Sequence, residues 1–139
     1  MTDQTITLPP EAAESFRAMF TAPEYDPAAG LSKARALLPE MLHHDQYFIP
    51  LALIFANSPT LTAAWPQYFK NGQINIDGIN RQLLGKLSRG EQTLVKLALH
   101  LFNDGNKLPA DGLLSLRLLD SYNFNLVNHA LRFFVRGER

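Results

Sequence analysis

The chain has 139 residues, of which 46% are hydrophobic and 19% charged, with thirteen basic residues against thirteen acidic ones, four histidines and no cysteine. That is enough apolar material for one ordinary core burying roughly two-thirds of the unfolded surface, and too little charge for a disordered chain. The missing cysteines exclude disulfides, thiol nucleophiles and cysteine-ligated zinc, and the balanced charge argues against a chain built as a whole to coat nucleic acid.

Residues 1–8 read as a tail, and the single domain is expected to span 9–139. Pro9 and Pro10 suit a first helical turn, where a missing amide hydrogen costs nothing, and Glu11 and Glu14 suit its dipole. That helix is expected to reach Ala22, with Phe16, Met19 and Phe20 as its apolar stripe. "APEYDPAAG" then breaks the pattern. Asp26 before Pro27 is a second cap-and-first-turn signal, leading into a helical rhythm of Leu31, Ala34, Leu37, Leu38, Met41 and Leu42 that Pro39 ends or kinks.

"DQYFIPLALIFANSP" is apolar on nearly every side from Phe48 to Ala56, the pattern of a buried helix. It is about half the ~20 residues a membrane helix needs. Ser58 and Pro59 open the next helix, Pro66 is its weak point, and Asn71-Gly72 closes it. "QINIDG", from Gln73 to Gly78, has strand alternation but no visible partner, so it reads as an extended connector. A short helix from Ile79 to Leu84 comes next, and Gly85 ends it. After it stand "LSRGEQTLVKLALHLFNDG", a short helix near 112–119, and a last helix from Ser121 to Val135 capped by Asp120. The sum is an all-α, compact, single-domain bundle of about six to seven helices.

The stretch Leu87–Gly105 resembles, in its opening LSRGE, the LSGGE signature of ABC and SMC-type ATPases. In those enzymes a Walker A lysine loop and a Walker B carboxylate hold the nucleotide. The nearest phosphate-loop candidate here, "GINRQLLGKLS" from Gly78, has six residues between its glycines and Leu87 where Ser or Thr is needed. A different chemistry uses both key residues. Ser88 and Glu91 have the spacing of a capping box, in which each side chain satisfies the other's backbone amide. Leu94, Leu97, Ala98, Leu101 and Phe102 then share one helical face, Val95 and Leu99 widen it, and Gly105 is placed to stop it.

No catalytic constellation emerges. His43, His44 and Asp45 are neighbours that point in different directions on a helix, and His100 and His129 lie on other elements, without the spacing of a metal site. Ser58, Ser88, Ser115 and Ser121 have no assignable base, and Glu11 with Glu14 is a helix-start pair. No catalytic residue, metal ligand or cofactor is therefore assigned, and the chain is expected not to be an enzyme.

Two groups remain as binding candidates. Trp65, Tyr68 and Phe69 precede the Asn71-Gly72 turn, and Trp65 with Tyr68 has the character of an interface anchor as well as of a core seam. Arg81, Lys86, Arg89 and Lys96 form a basic cluster suited to phosphates. Splitting the chain after Trp65 gives three basic against seven acidic residues, then ten against six. Such a division is expected chiefly to draw the halves together. In the last helix, Phe124, Val127, Leu131 and Phe134 form one apolar stripe, with Leu126, Ala130 and Phe133 beside it. That width predicts deep packing or a second contact surface.

Residues 85–135, from "LSRGEQTLVKLALHLFNDG" through "LRLLDSYNFNLVNHALRFF", resemble a family of small bacterial proteins of unknown function found near mobile elements. The resemblance implies an accessory role and assigns no residue. The expectation is a cytoplasmic, non-enzymatic helical binding or regulatory module, an adaptor or inhibitor of the phage- or plasmid-borne kind. Its partner would be a protein or a second copy of the chain, with no membrane involved. The alternative is a nucleotide or nucleic-acid binder using Arg81 to Lys96.

Overall fold

The computed structural model describes residues 24–103 and 116–137, and these described residues are 74% helical in a compact, mostly α fold. The helices are α1 (Pro27–Ala36), α2 (Phe48–Ala56), α3 (Pro59–Tyr68), the single turn α4 (Ile76–Gly78), α5 (Arg89–Phe102) and α6 (Ser121–Arg136). The expected tail, the helix from Pro9 to Ala22, the stop at Gly105 and the start of the 112–119 helix lie outside the described residues. The described end of that last helix is a 3-10 turn, Leu116–Leu118.

The most apolar segment of the chain becomes the centre of the bundle. Ile49, Leu51, Ala52, Leu53, Ile54 and Phe55 are fully buried on α2, because α1, α3, α5 and α6 all pack around it. Asp45 starts α2: its carboxylate accepts the amides of Tyr47 at 2.9 Å and Phe48 at 2.8 Å, and its carbonyl accepts that of Ile49. Pro50 falls in the first turn, where it removes no helical hydrogen bond. At the other end Asn57 Nδ2 donates to the Leu53 carbonyl at 2.8 Å, closing the helix with a side chain.

α1 begins as its sequence signal implies, with the Asp26 carboxylate accepting from the Ala28 amide at 3.1 Å and Pro27 in the first turn. The helix ends at Ala36. Pro39 then opens a separate 3-10 turn, Glu40–Leu42, which breaks the apolar rhythm and leaves Met41 87% exposed while Leu38 stays buried. Met41 therefore does not belong to the stripe that its spacing suggested. Ser58 and Pro59 open α3 as expected, through Pro59 in the first turn and the Ser58 carbonyl, which accepts from the Thr62 amide and hydroxyl; the Ser58 side chain makes no cap bond.

"QINIDG" is paired, not an isolated connector. Gln73–Ile74 forms an antiparallel ladder with Phe69–Lys70, in the register Phe69 with Ile74 and Lys70 with Gln73. Asn71 and Gly72 make the two-residue turn with φ of 55° and 74°. Positive φ at both positions is what a tight hairpin requires, and Asn-Gly supplies it at low cost. From Ile76 to Lys86 the chain coils irregularly, through one α turn, a π segment (Ile79–Leu83) and a 3-10 turn (Leu84–Lys86).

α5 carries the capping box. The Ser88 amide donates to Glu91 Oε1 at 2.9 Å, and the Glu91 amide donates to Ser88 Oγ at 3.2 Å. Leu94, Val95, Leu97, Ala98, Leu99 and Leu101 then face inward. α6 starts at Asp120, whose carboxylate accepts from the Asn123 amide at 2.8 Å. Of its two apolar stripes, Leu126, Ala130 and Phe133 enter the core with Val127. The flanking stripe stays at the edge, Phe134 half-buried and Phe124 exposed. No helix among the described residues is long and apolar enough to cross a membrane.

Candidate binding cleft

The two aromatic candidates are inside the fold. Trp65 is buried, donates its indole N–H to the Leu37 carbonyl at 3.2 Å and stacks on Phe69 with ring centres 4.8 Å apart. Phe55 also packs against it, with ring centres 5.2 Å apart. Tyr68 is buried as well, and its hydroxyl donates toward Gln82 Oε1 at 3.4 Å. Their geometry is that of the core seam which the i, i+4 spacing of Trp65 and Phe69 suggested, and it leaves neither ring presented as an anchor.

The basic candidates do not form one patch of free cations. Arg81 pairs with Asp77 at 3.2 Å, with both side chains largely in water. Lys86 ends the 3-10 turn and is exposed. Arg89 and Lys96, seven residues apart, share a face of α5, Arg89 exposed and Lys96 half-buried. Ser88 and Glu91, at the start of α5, are engaged with each other, and Glu91 also accepts from the Thr60 side chain. These bonds hold the Glu91 carboxyl below the usual range, the Ser88 amide contributing most.

Among the histidines, His43 bonds through Nε2 to the Leu38 carbonyl at 2.9 Å. No group of three His, Asp or Glu among the described residues is arranged to hold a metal ion. His129 is the one that the fold buries, at 8% exposure, and its Nδ1 lies 2.5 Å from the Tyr25 hydroxyl, 104 positions away in sequence. Burial first, then the Arg132 charge, lowers the His129 pKa. Burial first, then Tyr122, raises that of Tyr25. Both groups are thus held neutral near pH 7. An activated phenolate would need the opposite shift on the tyrosine, so this pair works as a hydrogen-bonded tie between α6 and the start of α1.

Gly30 makes the tie possible. A Cβ there would stand 2.3 Å from the Tyr25 hydroxyl. Tyr25 also meets Tyr122 edge-on, with ring centres 5.5 Å apart. Gly30 and Tyr122, which both touch Tyr25, line an open cleft of about 840 Å³. Small residues line it, Ala29 and Gly30 of α1, Ala56 at the end of α2, and Ala63 of α3. Around them stand Glu24, Asp26, Asp120, the Tyr122 phenol, Thr62 and Lys33. Asn57, only 6% exposed, also lines it. A smaller hollow of about 450 Å³ lies on the far side of Tyr25, against Asn125, Asn128 and Arg132.

The sequence reading missed Tyr25, Gly30, Asn57 and His129 as a group. One local signal was present: a glycine inside a helix costs about 1 kcal/mol relative to alanine, and Gly30 sits in the fourth position of α1. Such a residue marks a close approach, but nothing local says that the approaching group is Tyr25. Comparison with protein-family models, curated proteins and solved structures returned no match.

Proposed function

We propose that this chain is a non-enzymatic helical binding or regulatory module that acts on a protein partner through the cleft between α1, α3 and the start of α6. The cleft carries the reading. Its lining combines small apolar residues with polar groups, the composition of a recognition groove, and the Tyr25–His129 pair near it is held in the unreactive neutral forms. An exposed apolar row on α6 supports it: Phe124 at 45% and Val135 at 72% exposure lie eleven residues apart, with half-buried Leu131 between them. An exposed aromatic such as Phe124 is suited to the anchoring contacts of interfaces.

The reading predicts a partner retained at micromolar concentration by the wild-type chain and lost when Ala63→Trp or Ala29→Arg fills the cleft. Lys86→Glu should retain it. Retention by both cleft-filling variants would overturn the proposal. So would binding of RNA, DNA or nucleotide that weakens with salt and with Arg89→Glu and Lys96→Glu, in a chain that retains no protein. That second pattern is what the basic-cluster alternative requires.

A further inference from the structure

α6 carries a second apolar face that the core leaves outside. Leu126, Val127, Ala130 and Phe133 are buried on its inner side. On the opposite side Phe124, Asn128, Leu131 and Val135 follow one another at intervals of four, three and four residues, which at 3.6 residues per turn keeps them within about 60° of one another. That is the a and d spacing by which two helices pack, here along a seam about 17 Å long. Phe124, Asn128 and Val135 are exposed and Leu131 is half-buried. At the flank, exposed Tyr47 meets Phe134 edge-on with ring centres 6.2 Å apart. Of the four large apolar side chains exposed among the described residues, three therefore stand on α6 or against it.

The charge on the same helix is polarised. Asp120 caps its start and lines the cleft together with Glu24 and Asp26, so carboxylates gather at that end. Arg136 stands exposed in the last turn, about 24 Å from the cap, and exposed Arg132 lies one turn before it. A copy of α6 laid antiparallel sets each end against its complement. A parallel copy would set acids on acids and arginines on arginines.

We propose that α6 pairs antiparallel with α6 of a second copy of the chain, along Phe124, Asn128, Leu131 and Val135; this goes beyond the cleft reading and does not depend on it. In that pairing Phe124 meets the partner's Val135, and the two-fold axis passes between Asn128 and Leu131. The two Asn128 side chains then face each other across the axis. A carboxamide both donates and accepts, so it is matched by another carboxamide, and asparagine at such a position fixes register and partner number at a cost in affinity. Three turns of helix with Tyr47 at the flank fall below the roughly 1,200 Å² at which stable interfaces begin, so the dimer forms only as concentration rises. An isologous contact of this kind closes on itself and stops at two copies.

The test is sedimentation equilibrium of the full chain over a concentration series. A reversible monomer–dimer equilibrium is expected. Phe124→Glu and Val135→Glu should each weaken it about ten-fold or more, since each buries an unpaired charge, with the thermal midpoint unchanged because both side chains are exposed in the monomer. Arg132→Glu with Arg136→Glu should weaken it about three-fold, the scale of exposed ion pairs. The chain has no cysteine, so orientation is read by oxidative crosslinking: Phe124→Cys mixed with Val135→Cys should link, and neither alone should. A chain that stays monomeric up to millimolar concentration, a dimer indifferent to both seam variants, or crosslinking of each cysteine variant with itself would overturn the proposal. Association lost in Ala63→Trp and kept in Val135→Glu would place the contact at the cleft and also overturn it. So would a foreign protein held through Phe124 and Val135 by a chain that stays monomeric.

Discussion

The start of α5 and the corner between α1 and α6 are both held by side-chain hydrogen bonds, yet they differ in how far apart their partners lie in sequence. At α5 the two partners are three residues apart, Ser88 and Glu91, so forming the first helical turn brings them together whatever the rest of the chain does. At the corner, Tyr25 reaches His129 across 104 positions, and the contact exists only once α1 and α6 have both packed on α2. A local bond of this sort specifies where a helix begins. The long-range bond specifies how two helices sit, and with that the wall of the cleft.

Gly30→Ala should show the contrast most strongly. The added Cβ must displace the Tyr25 ring, so overpacking of about 1–3 kcal/mol combines with a broken buried hydrogen bond of similar size, against a gain of about 1 kcal/mol in helix propensity. A net loss of about 2–3 kcal/mol is expected from urea denaturation. An unchanged or raised midpoint would mean that the corner is looser than its geometry implies.

Tyr25→Phe keeps the ring and removes the hydroxyl, leaving His129 Nδ1 buried without its partner. The expected loss is about 1–2 kcal/mol. In combination with Gly30→Ala the effects should fall short of additive, since both substitutions break one contact.

The same pair sharpens the comparison through pH. The folded pKa of His129 lies below its unfolded value of 6.5, so below pH 6.5 the unfolded chain takes up a proton that the folded chain refuses, and stability falls as pH drops toward the folded pKa. For Tyr25 the folded pKa lies above the unfolded 10.0, so stability falls as pH rises beyond 10. Each limb has a slope of at most about 1.4 kcal/mol per pH unit. His129→Gln should flatten the acid limb and Tyr25→Phe the alkaline one, measured as midpoint against pH. An acid limb identical in wild type and His129→Gln would remove the histidine from the account.

At α5 the effects should be smaller. Ser88→Ala is expected to cost about 1 kcal/mol, read as a lowered thermal midpoint with no change in ligand affinity. Glu91→Gln should cost only a few tenths of a kcal/mol, because glutamine can complete the same box. A large loss there would instead give weight to the Glu91–Thr60 contact.

Much of the fold was legible because its signals act within one or two turns. Asp26-Pro27, Ser88 with Glu91, and Asp120 mark three helix starts through groups that meet as soon as the helix nucleates, and the Phe48–Ala56 run is too apolar to lie anywhere but inside. The misreadings have equally local causes. Met41 kept a helical phase only on the assumption that the helix continued past Pro39. The Asn71-Gly72 turn reads as a helix end in sequence because the strand partner, Phe69–Lys70, is two residues long and carries no alternation of its own. Trp65 and Tyr68 illustrate the limit for sites: an aromatic pair near the end of an element suits a core or an interface equally, and only the packing of Phe55 and Phe69 against Trp65 separates them.

Composition and periodicity alone determined an all-α chain with a buried central helix, because apolar spacing and capping chemistry depend on neighbours a few residues away. The tertiary structure alone decided that Gly30 lies under Tyr25, that His129 closes on that tyrosine, and that the Asn57 amide joins the end of α2 to the Gly30 carbonyl of α1. Those arrangements join residues up to a hundred positions apart, and no short-range pattern encodes a meeting that only the packed core brings about.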